Sequence, residues 1–125
     1  MIIGIGTDIV EIARIAEMLE KHGDSFTARI FTQKELEGSA GRKNAAVYFS
    51  GRWAAKEALA KALGCGFGSN CSWLDIEILN NSQGKPEISL TGNAADFAEH
   101  LNAGRFHLSI SHEHHYACAT VLIES

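Results

Sequence analysis

The sequence has few of the features that mark secreted or membrane proteins. It contains one proline and only three cysteines, Cys65, Cys71 and Cys118, in 125 residues. An odd number of cysteines with no Cys-x-x-Cys pair indicates neither a disulfide framework nor a zinc site, so we expect a reducing cytoplasm. The apolar residues 1–6 follow no basic segment and reach Asp8 too early to span a bilayer. The sequence therefore predicts a protein that is neither exported nor inserted in a membrane.

An excess of positive charge is also missing. The formal net charge is −4, which argues against general nucleic-acid binding because that function needs a basic surface. The charge is uneven, however: residues 1–62 carry nine Lys or Arg against eight Asp or Glu, and residues 63–125 carry two against seven. We expect a local basic patch from the N-terminal half, suited to a phosphorylated ligand or an acidic partner.

Hydrophobic periodicity predicts one α+β domain over residues 1–125 with a mainly antiparallel sheet. A buried strand is expected over residues 2–7, followed by a helix whose core face carries Ile12, Ile15, Ala16 and Leu19. The period changes to two in the second half, where strands are expected. These strands cover about residues 74–78, 88–90, 106–110 and 116–123, with one helix at 94–101.

Two local signals fix helix ends in the first half. Thr32 stands three residues before Glu35, the spacing of a capping box, so a short helix is expected to start there. A longer helix should end at Gly64, since glycine is the usual helix stop.

That longer helix carries organised charge between residues 52 and 63. Residues four apart share a helix face, so Arg52 stacks over Lys56 and Glu57 over Lys61. One interpretation is a solvated face with an ion pair worth about 0.3–0.5 kcal/mol. The other interpretation depends on a second carboxylate, Asp8, at the end of an apolar strand.

Asp8 alone could simply cap the following helix. Together with Glu57 it could instead hold a magnesium ion, which prefers oxygen ligands and takes the remaining ones from water and substrate phosphates. Lys56 beside them would neutralise phosphate charge.

Two further motifs are weaker. The glycines Gly64, Gly66 and Gly68 follow the C-terminal end of the helix and match no phosphate-binding loop, so they predict a helix stop and a loop that a ligand could approach closely. The run from His112 to His115 falls in a tight connection between strands and lacks the helical spacing of a zinc site. His112 is better suited to donate to a phosphate or a ring.

Taken together, these motifs resemble the holo-acyl-carrier-protein synthase group of 4′-phosphopantetheinyl transferases. The resemblance covers nearly the whole chain in the family's order. It is carried by Gly4 to Ile12, Phe31-Thr32-x-x-Glu35, Arg52 to Ala58, Gly84-Lys85-Pro86 and Ser109 to His112.

The resemblance implies transfer of phosphopantetheine from coenzyme A to a serine of apo acyl carrier protein, in fatty acid biosynthesis, by a homotrimer with active sites between subunits. Asp8 and Glu57 would hold Mg²⁺, and Lys56 would stabilise the phosphate under attack or assist proton transfer. The identity of the group that takes the serine proton stays open. The coenzyme A contacts implied are Arg52, Lys61, Gly64, Gly66, Gln83, Gly84, Lys85, Pro86 and His112. The carrier protein would meet Arg14, Met18 and Lys21 on the first helix.

Two other classes of function remain open from the residues alone. A small acidic binding module would use its basic helix face without catalysis, and Asp8 and Glu57 would then be independent. A phosphohydrolase could use the same carboxylates, and it would cleave coenzyme A without any carrier protein.

Overall fold

The computed structural model describes residues 1–125 as five strands and five α-helices, in the class that the sequence predicts. The elements in chain order are β1 (Ile2–Glu11), α1 (Ile12–His22), α2 (Asp24–Ile30), α3 (Gln33–Ser39), α4 (Ala45–Leu63), β2 (Ile76–Asn80), β3 (Pro86–Leu90), α5 (Gly92–His100), β4 (Arg105–His112) and β5 (Tyr116–Glu124). No helix has the length and apolar character needed to cross a membrane.

All strand pairing is antiparallel, in two separate sheets. Three strands pair in the order β1-β5-β4, and β2 pairs with β3. In the larger sheet, Asp8 of β1 stands opposite Ala119 of β5, which stands opposite Ile110 of β4. These three residues form one row across the sheet, from the β1 edge to the β4 edge.

Helix α4 packs across one face of the three-stranded sheet and is buried almost all round. The strand residues Ala117, Ala119, Val121 and Ile123 are at most 1% exposed beneath it. The opposite face of the sheet is uncovered in the single chain: Ile5 and Ile9 are each 66% exposed.

The predicted helix ends are confirmed where local chemistry sets them. The Thr32 hydroxyl accepts from the Glu35 amide at 3.3 Å, and the Glu35 carboxylate accepts from the Thr32 amide at 2.8 Å, which completes the capping box. Gly64 ends α4 with a left-handed φ of 79°.

Four local predictions are wrong. The strand expected to be buried over residues 2–7 lies at a sheet edge, and Ile2, Ile3 and Ile5 in it are exposed. Asp8 does not cap α1, because β1 continues through it to Glu11 and pairs with β5. Ala16 is exposed, so the core face of α1 is narrower than its spacing predicts. Leu74 lies in a 3₁₀ turn, and strand β2 starts at Ile76.

Candidate functional site

Two glycines of β1 determine how closely α4 approaches the strand. A methyl group on Gly4 would overlap the carbonyl oxygen of Ala62, and one on Gly6 would overlap that of Ala58. Glycine alone permits such backbone-to-backbone contact. Side chains alternate along a strand, so Asp8 points to the same helix-facing side as these two glycines.

This close packing brings Asp8 to the last turns of α4. The Lys61 ammonium donates to Asp8 Oδ1 at 3.1 Å and to the Thr7 carbonyl oxygen at 3.0 Å. The Asp8 side chain is 15% exposed and that of Lys61 is 53% exposed. The pair therefore lies at the surface, with the lysine open to a ligand.

Glu57 belongs to the same group of charges. Partial burial raises the pKa of the Glu57 carboxyl, and the negative charge of Asp8 raises it further, whereas Lys61 and Arg14 lower it. A carboxylate whose ionisation is opposed by a second negative charge nearby is a favourable setting for a divalent cation, which would remove that cost. The donor set of Asp8 and Glu57 thus fits the magnesium ion that the family resemblance implies.

Lys56 requires a correction, because the structure does not place it with these residues. Its ammonium is fully buried and donates to Glu35 Oε1 at 2.7 Å, the Ile30 carbonyl oxygen at 2.7 Å and the Trp73 carbonyl oxygen at 3.1 Å. An ammonium has three N–H donors, and all three are used. The expectation that Lys56 contacts a substrate phosphate does not fit this environment.

Glu35, the predicted capping residue of α3, also completes a buried junction around Lys56. Its second carboxylate oxygen accepts from the Ile78 amide at 2.8 Å, and its own carbonyl accepts from the Tyr48 hydroxyl at 2.8 Å. Burial lowers the pKa of the Lys56 ammonium, and the Glu35 carboxylate opposes that shift. This junction ties α2, α3, α4 and β2 together.

Arg52 and His112 lie in a basic cavity of about 450 Å³ at the β4 edge of the sheet. Arg42 and Lys43, in the loop before α4, line the same cavity. The Arg42 and Arg52 guanidinium groups each lie 4.5 Å from the centre of the Tyr48 ring. The adjacent cations at positions 42 and 43 were the available signal for this part of the site.

The turn that contains Gln83, Gly84 and Lys85 joins β2 to β3, which begins at Pro86. Arg52 donates to Asn80 Oδ1 at 2.9 Å, which links the basic cavity to the end of β2 just before this turn. Lys85 and Pro86 line a separate cavity of about 350 Å³ between β3 and β4.

The carboxylate group and the basic cavity lie on opposite sides of α4. Arg52 and Lys61 are nine residues apart, which is half a rotation around a helix and roughly 14 Å along it. Asp8 and Ile110 of the cavity stand in one row but two strand spacings apart, roughly 10 Å. One chain therefore does not gather all the predicted ligand-binding residues into one pocket.

Gly64 and Gly66 are exposed beyond the end of α4, close in sequence to Lys61. Gly66 has a φ of 63°, and its amide donates to the Ala60 carbonyl oxygen at 3.3 Å, so the loop folds back on the helix end. The structure thus brings these glycines to the carboxylate side of α4.

The predicted partner face of α1 is amphipathic. The Arg14 guanidinium lies 5.8 Å from the centre of the Trp53 ring, and Met18 lines a depression of about 240 Å³ with Phe26, Arg29 and Trp73. Arg29 and Phe26 were not selected from the sequence. Lys21 donates to Glu17 at 2.6 Å, so its charge is partly neutralised within the chain.

The histidine run is not part of any group of three or more His, Cys, Asp or Glu side chains placed to hold a metal ion. The run closes the β4–β5 hairpin, where the Glu113 carboxylate accepts from the Tyr116 amide at 3.0 Å. Two hydrogen bonds, from the His115 and Tyr116 amides, and the positive charge of His115 and His114 lower the pKa of Glu113, and the His115 amide has the largest effect.

Comparison with known proteins confirms the family resemblance. The family model of the 4′-phosphopantetheinyl transferase superfamily matches residues 4–121. A holo-[acyl-carrier-protein] synthase of Hydrogenovibrio crunogenus is 46% identical over 125 residues, covering 100% of this chain and 98% of the relative.

Solved structures agree with that match. The holo-[acyl-carrier-protein] synthase of Neisseria meningitidis has a TM-score of 0.93 at 38% identity, with 100% of both chains covered. The Bacillus anthracis enzyme in complex with CoA (3′,5′-ADP) has a TM-score of 0.84 at 41% identity, covering 100% of this chain and 98% of that one. From matching motifs, sequence and fold together, the chain belongs to the 4′-phosphopantetheinyl transferase superfamily.

Proposed function

We propose that this enzyme transfers 4′-phosphopantetheine from coenzyme A to a serine of apo acyl carrier protein and releases adenosine 3′,5′-bisphosphate. The observation that carries the proposal is the convergence of Asp8, Glu57 and Lys61 at the crossing of β1 and α4. The similarity to holo-[acyl-carrier-protein] synthases, including the Bacillus anthracis structure in complex with CoA (3′,5′-ADP), supports the same substrates.

In this proposal Asp8 and Glu57 hold Mg²⁺, which would neutralise the diphosphate of coenzyme A. Lys61 binds the diphosphate as well, since its ammonium is half exposed and already directed toward Asp8. The serine oxygen forms the new bond to phosphorus as the bond to the bisphosphate leaving group breaks. Lys56 has no direct part in this step, because its ammonium is enclosed by protein acceptors.

The basic cavity is proposed to bind the phosphorylated nucleotide end of coenzyme A. Arg42, Lys43, Arg52 and His112 supply donors for an anion there. Burial lowers the pKa of the Arg52 guanidinium, and a bound anion would favour its charged form. Gly64, Gly66 and the turn from Gln83 to Pro86 are proposed as further coenzyme A contacts.

A shared site between copies of the chain would reconcile the two separated charge groups. If the β1 edge of one copy faces the β4 edge of the next, the carboxylates of one meet the basic cavity of the other. Such a head-to-tail contact closes into a ring when the rotation permits. The uncovered, apolar sheet face around Ile5 and Ile9 supports this association. We therefore keep the homotrimer as part of the proposal.

The carrier protein is proposed to dock on α1. Arg14 lies over the Trp53 ring on this face, and its positive charge also lowers the pKa of Glu57. It is therefore near both the docking surface and the carboxylates. A cation around an apolar depression suits an acidic helical partner, first by steering and then by packing. We also propose that the protein acts in the cytoplasm, where it would encounter coenzyme A and carrier proteins.

The test is incubation of the protein with coenzyme A, Mg²⁺ and an apo acyl carrier protein, followed by intact-mass measurement of the carrier. We expect the carrier serine to gain one phosphopantetheine group. A reaction without the carrier distinguishes a phosphohydrolase, because only that enzyme would release bisphosphate there. No mass gain, with coenzyme A intact, would favour the non-catalytic binding module. Light scattering that reports a monomer at the assay concentration would overturn the shared site.

A further inference from the structure

The depression of about 240 Å³ beside α1 is lined by residues from four different parts of the chain. Met18 comes from α1, Phe26, Arg29 and Ile30 from α2, Trp53 from α4, and Trp73 from the 3₁₀ turn before β2. The two tryptophans are the only ones in the chain, and their ring centres are 4.6 Å apart. The shape of the depression therefore depends on how α2 and the turn at Trp73 are held against α4.

The buried Lys56 ammonium bonds to the backbone of two of these walls. It donates to the Ile30 carbonyl oxygen of α2 at 2.7 Å and to the Trp73 carbonyl oxygen of the turn at 3.1 Å. No other side chain of the structure hydrogen-bonds to both α2 and this turn. Trp53 precedes Lys56 by three residues on α4, so the two lie on the same side of the helix. One buried cation thus joins three of the four elements that line the depression.

The three bonds of Lys56 divide into two kinds. Its ion pair with Glu35 connects two fully buried side chains, neither of which lines the depression. Its other two bonds reach the backbone of residues that do line it. Ile30 is the last residue of α2, where carbonyl groups lack donors within the helix, and Lys56 supplies one. The ion pair therefore accounts for stability, whereas the two carbonyl contacts fix the position of the walls.

We propose that Lys56 is a positioning residue for the carrier protein, because it holds the backbone of Ile30 and Trp73 and so sets the shape of the depression beside α1. This inference rests on the proposed function, in which the carrier docks on α1 around Met18. Lys56 then contributes to the reaction although its ammonium touches no substrate. Displaced walls would weaken carrier binding. Coenzyme A, which is proposed to bind around Lys61 and Arg52, should bind as before.

The test compares two variants that both lack the Glu35 carboxylate. Glu35→Gln keeps the Lys56 ammonium and its bonds to the two carbonyl oxygens, and Glu35→Gln/Lys56→Met removes the ammonium as well. The single variant retains a buried ammonium without its carboxylate, whereas the double variant has neither charge. Loss of stability therefore cannot explain a defect that occurs only in the double variant.

Steady-state kinetics with coenzyme A, Mg²⁺ and an apo acyl carrier protein give the first measurement. We expect the KM for the carrier to be about tenfold higher in the double variant than in Glu35→Gln, the size of effect that follows when an interface loses one well-packed contact. The KM for coenzyme A and kcat should agree within about twofold, because only carrier binding is affected.

Two kinetic results would contradict the proposal. Equal KM values for the carrier in the two variants would overturn the positioning role. A change confined to kcat or to the KM for coenzyme A would also overturn it, since Lys56 would then act at the phosphates. If circular dichroism shows that the double variant is unfolded, Glu35→Gln/Lys56→Gln takes its place, because the glutamine amide ends one bond short of the lysine nitrogen and should give the same shift.

Tryptophan fluorescence tests the positioning without the reaction. Because Trp53 and Trp73 are the only tryptophans and both line the depression, their emission reports on this region alone. We expect acrylamide to quench the double variant more strongly than Glu35→Gln, and equal quenching would overturn the positioning role. If the unaltered protein does not modify the carrier, the proposed function fails, and the quenching comparison still decides whether Lys56 shapes the depression.

Discussion

Two lysines on α4, five residues apart, have opposite environments. Lys56 is enclosed, and each of its N–H groups has a protein acceptor. Lys61 is half exposed and bonds a carboxylate whose neighbour, Glu57, has a raised pKa. A buried ammonium whose three N–H groups all have protein acceptors stabilises the fold. A partly exposed pair of carboxylates whose negative charges oppose each other can still bind a cationic ligand. This difference in environment supports the proposal that Lys61, and not Lys56, contacts the substrate.

The largest effect should come from the enclosed pair. Lys56→Met leaves the buried Glu35 carboxylate without its cation, and breaking a buried ion pair costs about 3–5 kcal/mol. Urea unfolding should therefore show a free energy of unfolding lower by that amount. Lys34→Met, at an exposed position, is the control and should change little. A Lys56→Met protein of normal stability that lacks activity would instead make Lys56 catalytic.

The partly exposed group of Asp8, Glu57 and Lys61 should show the reverse, a large effect on activity without a loss of stability. Glu57→Gln removes one proposed metal ligand, and metal-mediated charge stabilisation is worth several kcal/mol, so we expect kcat/KM to fall at least ~100-fold. Without Mg²⁺ the same variant should be more stable than the parent at neutral pH. Glu99→Gln, on the exposed side of α5, is the matched control. Full activity of Glu57→Gln would exclude the metal assignment.

The stability part of that prediction has a definite pH dependence. Because the folded-state pKa of Glu57 is raised, its contribution to stability is present at low pH and is lost as pH rises through that pKa. The stability advantage of Glu57→Gln should therefore be absent below the ordinary pKa of a glutamate and appear above the raised value. Thermal unfolding of both proteins in a metal-free pH series measures this, and a constant difference across pH would contradict it.

A smaller effect is expected on the carrier face. Arg14→Glu should weaken binding of the apo carrier by about tenfold, roughly 1.4 kcal/mol, with coenzyme A affinity nearly unchanged, because a surface cation acts on its local partner. Calorimetric titration with each ligand separately gives both affinities. Equal losses for the two ligands would place Arg14 in the coenzyme A site.

The smallest effect should come from the surface pair between Glu17 and Lys21, whose side chains are about 60% exposed. Glu17→Gln should change the free energy of unfolding by no more than about 0.5 kcal/mol, as for other exposed pairs four residues apart. A larger loss in urea unfolding would show that exposure is a poor guide to the role of a charge in this chain.

The fold was predictable where short-range chemistry decides it. The capping box at Thr32, the stop at Gly64 and the alternating pattern of β5 all involve neighbours in sequence. Asp8 was predicted as one possible helix cap because the pairing of β1 with β5 joins residues more than a hundred positions apart. Local pattern contains no information on that pairing.

The sequence predicted that Asp8 and Glu57 lie near each other, but it did not predict that Lys56 is buried. Helix α4 is buried on nearly every side, so its charged residues have no common solvent face from which direction could be inferred. The partner of Lys56 is Glu35. The capping box explains Glu35 by its neighbours in sequence, so no local pattern indicated its ion pair with the distant Lys56. Arg42 and Lys43 were missed because a loop has no period that predicts which way its side chains point.

Because Gly4 and Gly6 have no side chains, the geometry of the carboxylate site depends on residues that carry no charge themselves. The distance between the Asp8 and Glu57 carboxylates depends on how closely α4 packs on β1. A single methyl group added at Gly4 or Gly6 would push α4 away from β1 without altering any ionisable atom. Alanine at either position would thus separate the effect of geometry on turnover from the effect of charge.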